Sequence, residues 1–250
     1  MAGKELDTVY MVTGANRGLG LGLVRKLLTR PNTTIIATVR SEQAATSLKE
    51  GMPTDLDNLH IIELDFSKAI APEVIRQMVD QVGVDHIDVL INNAGSVPAM
   101  TPASKTTAED LRAAFETDTI APLLVFQALW PLLQKSKSSP KLIMVTSSVG
   151  SIAEMEPVPG GAYGPSRAAK NWLTKALHQE HKDDGLISIA LHPGWVQTRA
   201  GQFAANQWGY AQGPPVTVES SVAGMLEVID TATREQSGKF LTQEGEILGW

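Results

Sequence analysis

The chain has 250 residues, 43% of them hydrophobic, with no cysteine, five histidines and a formal net charge of −6 at pH 7. That is enough apolar material for one large core, so a single domain over 1–250 is expected, and the acidic balance argues against a nucleic-acid partner. Without thiols there is neither a disulfide framework nor a thiolate metal site. The histidines are dispersed without ligand spacing, so no metal is expected. No apolar run approaches the roughly 20 residues that span a bilayer, and MAGKELD leaves no room for a signal core before the first β-like run, so a cytoplasmic protein without a membrane partner is predicted.

Short β-branched runs recur in chain order: TVYMVT (8–13), TTIIATV (33–39), LHIIELD (59–65), IDVLINN (87–93), KLIMVTS (141–147), ISIALHP (187–193) and KFLTQ (239–243). Between them lie segments with helical spacing: GLGLVRKLLTR, PEVIRQMVDQV, the long AEDLRAAFETDTIAPLLVFQALWPLL, SRAAKNWLTKALHQEH and ESSVAGMLEVIDTAT. Seven strands alternating with helices predict an α/β fold, a doubly wound parallel sheet with helices on both faces. Pro122 predicts a kink in the long fourth helix rather than two elements. The segment 195–216, WVQTRAGQFAANQWGYAQGPPV, is a candidate lid, and its Phe203, Trp208 and Tyr210 read either as contacts for a flat ligand or as anchors of the loop.

The first run ends in TGANRGLG, with Asn16, Arg17 and Leu19 set among Gly14, Gly18 and Gly20. Glycines at this turn let backbone N–H groups approach a pyrophosphate at a helix N-terminus, and their place between a strand and a helix in the first βαβ unit predicts a Rossmann-type dinucleotide site; the alternative is a tight turn that uses glycine for steric reasons alone. An NAD-selective site has an acid near the end of the second strand, but IIATVR offers Val39 and Arg40. Arg40 and Arg17 would neutralise a 2′-phosphate, favouring NADP(H); the alternative is that Arg40 simply faces solvent.

TGANRGLG, NNAG at 92–95, the pair Ser147 and Tyr163, and PGWVQT at 193–198 together resemble the short-chain dehydrogenase/reductase family over nearly the whole chain. The ending GKFLTQEGEILGW and the segment TIAPLLVFQALWPLL resemble its branch of sniffer-type carbonyl reductases and fungal norsolorinic acid ketoreductases. The resemblance implies that Asn92, Ala94 and Gly95 line the adenosine side and support the central strand, and that Asp65 meets the adenine amino group. Pro193, Val196 and Thr198 would contact the nicotinamide end. Asp65 also reads as a helix cap, and PGW as no more than a turn.

Reduction of a ketone needs a proton donor and a second hydrogen bond at the carbonyl oxygen. The resemblance implies Tyr163 for the first and Ser147 for the second, with Ser148 as competitor. The family pattern has lysine where Arg167 stands and asparagine where Asp118 stands, so two of four catalytic positions depart from it. Arginine keeps the charge but cannot release a proton. Asp118 therefore reads either as the partner of Arg167 in an ion pair or as the terminal acid/base of a relay. Lys170, three residues beyond Arg167, reads as a surface residue.

The leading expectation is an NADPH-dependent ketoreductase for a bulky, aromatic or polyketide-type carbonyl substrate. The alternatives are a repurposed member catalysing isomerisation, dehydration or cyclisation, and a dinucleotide-binding sensor. The resemblance also implies a homodimer or homotetramer formed through the fourth and fifth helices.

Overall fold

A computed structural model describes residues 7–53 and 56–250; residues 1–6, part of the N-terminal stretch considered above for a leader, lie outside these. The strands are β1 (Thr8–Val12), β2 (Thr33–Val39), β3 (Leu59–Glu63), β4 (Val89–Asn92), β5 (Lys141–Val145), β6 (Ile187–His192) and β7 (Lys239–Thr242). They form one parallel sheet in the order β3-β2-β1-β4-β5-β6-β7. The order reverses between β1 and β4, the switch point at whose carboxyl ends ligands bind in such sheets.

Side chains alternate across the sheet and fill a core on each face. Tyr10, Val12, Ile35 and Ala37 meet α1 (Gly18–Leu27), α2 (Glu42–Lys49) and α8 (Val218–Thr231) through Leu23, Leu48 and Met225. Val9, Met11, Ile36 and Leu90 meet α3 (Pro72–Asp80) and α5 (Ala121–Leu133) through Ile75, Phe126 and Leu129. Both faces being covered explains why the strands read as near-continuous apolar runs. No described helix is long and apolar enough to cross a membrane.

Three local features depart from the pattern expected from sequence. Helix α2 is extra: its buried residues are only Ala44 and Leu48, too sparse for periodicity, and Ser41 caps it by accepting from the Ala44 N–H at 3.3 Å. The long fourth helix is α4 (Ala108–Phe115) joined to α5 by a π-helical stretch, Glu116–Ile120. The irregularity therefore precedes Pro122, which occupies the first turn of α5, where a missing N–H costs little. The candidate lid contains α7 (Arg199–Trp208), and its base is pinched shut where Val196 bridges Val216.

Six of the seven sequence runs extend one or two residues past the strand ends, the last of them only by Gln243. Thr13, Asp65, Asn93, Ser147 and Pro193 lie in that overshoot, on the carboxyl rim.

Candidate active site

The β1–α1 turn is held by its neighbours. The Asn93 amide donates to the Thr13 carbonyl at 2.8 Å and the Gly14 carbonyl at 3.2 Å, while the Gly14 N–H donates to Thr38 Oγ1 at 3.2 Å. Gly14 has φ +66, and a Cβ there would stand 2.9 Å from the Ala94 Cα; a Cβ on Gly20 would strike the Gly14 carbonyl. These two positions need glycine for close approach and, at Gly14, for the left-handed backbone. Helix α1 starts at Gly18 with no side-chain cap and no acid in its first turn, so its N–H groups are left for an anion. Asn16 and Leu19 are half-buried in the same turn.

Arg17 is held below its ordinary value first by burial, then by Arg40 and Arg199. Among the described residues none of these three arginines has a carboxylate within ion-pair distance. A cationic rim beside a glycine turn and an uncapped helix suits a phosphorylated dinucleotide. Arg199, which opens α7, was not legible as part of it because its approach depends on how that segment folds against the glycine turn.

The residues implied for the adenosine side separate into two groups. Ala94 abuts Gly14, and its N–H donates to Thr13 Oγ1 at 3.0 Å. Asn92 instead points behind the strand, donating to the Pro122 carbonyl at 3.2 Å and contacting the Met144 sulfur at 3.5 Å, which ties β4 to α5 and β5. Asp65 accepts from Ser67 Oγ at 2.6 Å and from the Ser67 N–H at 3.2 Å, with Lys68 at 3.5 Å; these bonds, that of the Ser67 hydroxyl foremost, hold its carboxyl below the usual range. After β6, the Pro193 carbonyl accepts from Ser221 Oγ at 2.6 Å, Val196 is buried, and Thr198 caps α7 by accepting from the Gly201 N–H at 3.1 Å. The methyl of Thr198 lies 3.4 Å from where a Gly18 Cβ would be, so the β6 rim closes against the glycine turn.

Tyr163 opens α6 (Tyr163–His181) after Gly161, whose φ of +52 turns the chain into the helix. One turn on, the Arg167 guanidinium lies over the Tyr163 ring, 4.6 Å from its centroid. It donates from Nη2 to Asp118 Oδ1 at 3.3 Å and from Nη1 to the Val145 carbonyl at 3.2 Å, and its Nε is buried without an acceptor. Burial pulls Arg167 down, but Asp118 and Tyr163 outweigh this and hold it above its ordinary value. The π-helical stretch turns Asp118 fully inward. There Oδ1 also accepts from the Ser96 N–H at 2.7 Å, and Oδ2 accepts from Ser96 Oγ at 2.9 Å and Ser166 Oγ at 3.1 Å. Gly95 makes room for the pair: a Cβ would sit 2.5 Å from Arg167 Nη2.

Ser147 is buried and its Oγ accepts from the Val149 N–H at 3.3 Å, whereas Ser148 donates its backbone N–H to His192 Nδ1 at 3.2 Å. Burial lowers His192 to about 4, so it accepts as a neutral ring. Lys170 corrects the sequence reading. It is fully buried, donating to the Val145 carbonyl at 3.3 Å. Three residues advance a helix by about 300°, which leaves Lys170 only about 60° from Arg167 on the same face, not opposite it.

The lid aromatics pack on one another. Trp195 lies 4.9 Å from Tyr210 and 5.6 Å from Trp208, and Trp208 Nε1 donates to the Pro159 carbonyl at 3.0 Å, fastening α7 to the loop before α6. Phe203 is half-buried outside this stack. On the outer face of α5 and α6 an apolar groove of about 290 Å³ is lined by Ile120, Leu123, Trp172 and Leu173, with Trp172 70% exposed.

Residues 8–208 match the family model for short chain dehydrogenases. A short-chain dehydrogenase of Pyricularia oryzae is 36% identical, covering 98% of this chain and 99% of its own length. A norsolorinic acid ketoreductase of Aspergillus parasiticus is 35% identical over 99% of this chain and 93% of its own. Among solved structures, the NADPH-bound carbonyl reductase from chicken fatty liver superposes with a TM-score of 0.85 at 33% identity, covering 98% of this chain and 100% of that one. The Sniffer carbonyl reductase of Drosophila melanogaster gives 0.84 at 28% identity, with the same coverage.

Proposed function

The chain belongs to the short-chain dehydrogenase family, and we propose that within it the protein is a cytoplasmic, NADPH-dependent ketoreductase acting on a bulky, aromatic or polyketide-type ketone, with Tyr163 as proton donor. The observation that carries this reading is the meeting, on one carboxyl rim, of a glycine turn flanked by three arginines and a tyrosine stacked under a buried, paired guanidinium. Two relatives support it by their own names: one a ketoreductase for norsolorinic acid, the other a carbonyl reductase with NADPH bound.

The chain's residues fit the nucleotide. The turn from Gly14 to Gly20, with Ala94 against it, would hold the pyrophosphate; Arg17, Arg40 and Arg199 would hold the 2′-phosphate; Arg167, Val196 and Thr198 would face the nicotinamide end. The chemistry NADPH supplies is the hydride. As negative charge grows on the carbonyl oxygen, Tyr163 transfers its hydroxyl proton there and Ser147 Oγ donates a hydrogen bond to the same atom. The Arg167 charge over the ring favours the tyrosinate that this leaves, while Asp118 offsets part of that charge.

Four donors already engage the Asp118 carboxylate, which supports the ion-pair reading over a free acid/base and weighs against a non-redox reaction that uses it as base. A homodimer closing over the Trp172 groove completes the proposal. Titrating NADPH and measuring its oxidation against a panel of aromatic and polycyclic ketones is the test. Binding with no oxidation of any ketone would refute the reductase and leave the sensor reading, and product formation without NADPH consumption would mean a non-redox enzyme.

A further inference from the structure

The buried face of α6 is polar for three turns, running through Ser166, Arg167, Lys170, Asn171 and Thr174. Most of this polarity is satisfied by hydrogen bonds: Asn171 accepts from Thr146 Oγ1 at 2.7 Å and Thr174 donates to the Lys170 carbonyl at 2.9 Å. Two groups fall short: the Arg167 Nε, which has no acceptor, and the Lys170 ammonium position. Lys170 is the largest fully buried side chain, and its Nζ has one hydrogen-bond acceptor, the Val145 carbonyl at 3.3 Å, which Arg167 Nη1 already uses at 3.2 Å.

Two nominal cations thus converge on one carbonyl, with a single carboxylate, Asp118, to balance them. An ammonium has three N–H groups and here finds one acceptor. The cluster is neutral only if one base gives up its proton, and arginine does not. Burial and Arg167 together outweigh Asp118 and favour an uncharged lysine. On α6 Arg167 opposes the ammonium, and on the π-helical stretch Asp118 favours it but is committed to Arg167. Strand β5 presents only the Val145 carbonyl, α5 and the 148–150 turn carry no ionisable side chain, and β6 brings His192 as a neutral ring.

We propose that Lys170 is a positioning residue of the nucleotide site: as an uncharged amine it lets Arg167 rest on the Val145 carbonyl and Asp118, and as an ammonium it drives Arg167 off them. Burial foremost, then Arg167, lowers Lys170 from 10.5 to about 7, so the change of state falls near neutral pH. Acidification below neutrality loosens Arg167 and with it the grip on NADPH. The proposal rests on the nucleotide reading above.

The test compares wild type with Lys170→Met, which keeps the length and removes the titration. If only the uncharged form binds, Kd for NADPH rises about tenfold between pH 8 and pH 6, since the competent fraction falls by that factor. The 2′-phosphate titrates near pH 6 in both proteins, so the readout is the difference between them: Lys170→Met shows a rise several-fold smaller. Lys170→Arg, charged at every pH, binds NADPH weakly at pH 8 as well. Equal pH dependence in wild type and a folded Lys170→Met overturns the proposal. Should that variant not fold, an NMR titration of the Lys170 side chain in the wild-type protein decides: a midpoint near 7 supports the proposal, and one above 9 overturns it. A wild-type protein that binds NADPH at no pH defeats the nucleotide reading instead, and the same NMR midpoint then still decides the charge state of Lys170.

Discussion

Removing the charge of Asp118 is the most informative single perturbation. Asparagine can replace it atom for atom: an amide oxygen at the Oδ1 position still accepts from the Ser96 N–H and from Arg167, and an amide nitrogen at Oδ2 can donate to the Ser96 and Ser166 hydroxyls. Packing and hydrogen-bond count survive, so what is lost is the carboxylate charge opposite Arg167, whose side chain is 6% exposed against 0% for Asp118. Stripping one partner from a buried pair costs about 3–5 kcal/mol, because the other charge stays buried. Asp118→Asn should therefore lower unfolding free energy by about that amount. Arg167→Lys should also destabilise, since the shorter side chain gives up the Tyr163 ring and one of its two acceptors. The double variant should cost less than the sum of the singles, by about 1–3 kcal/mol, and its NADPH-dependent turnover should equal or exceed that of the parent. Denaturant unfolding and kcat/KM measured on all four proteins form the cycle. Additivity within about 0.5 kcal/mol would refute the argument that Asp118 and Arg167 act as a pair.

Tyr163→Phe should abolish ketone reduction while leaving NADPH binding nearly intact, as single-turnover kinetics and a binding titration would show; retained turnover would remove Tyr163 as donor. Arg40→Asp should shift preference from NADPH toward NADH, read as the ratio of the two kcat/KM values, because it sets a like charge against the 2′-phosphate. Gly95→Ala would bring a methyl within 2.5 Å of Arg167 Nη2, so a loss of about 1–3 kcal/mol in stability is expected together with weaker nucleotide binding. Stability should rise with pH between about 7 and 10.5 through Lys170, because in that window the unfolded lysine binds a proton and the buried one does not. The full difference is about 5 kcal/mol, so Lys170→Met should raise the Tm most at and below pH 7 and progressively less toward pH 10.5.

What the chain determined by itself is local. The seven apolar runs announced seven strands because a sheet covered on both faces needs little else, and the glycines of TGANRGLG announced a turn whose backbone must pass close to Ala94 and to itself. The pairing of Asp118 with Arg167 was readable only as two departures from a family pattern, since the residues lie 49 positions apart. Strand ends ran long because nothing in the sequence separates the polar residues Thr13, Asn93 and Ser147 from the runs they close, whereas in the fold they leave the ladder and sit on the rim. Tertiary structure decided the rest. A π-helical stretch ahead of Pro122, set by packing against α6 and invisible to periodicity, turns Asp118 inward. Arg199 reaches the arginine rim only because the start of α7 is brought against the glycine turn, with Thr198 beside Gly18. Lys170 carries the letter of a solvated residue, and its burial follows from the sheet and the 148–150 turn closing over the face of α6 that Arg167 also occupies. Charge in a sequence reports what a side chain prefers, but the residues packed around it decide whether it keeps its proton.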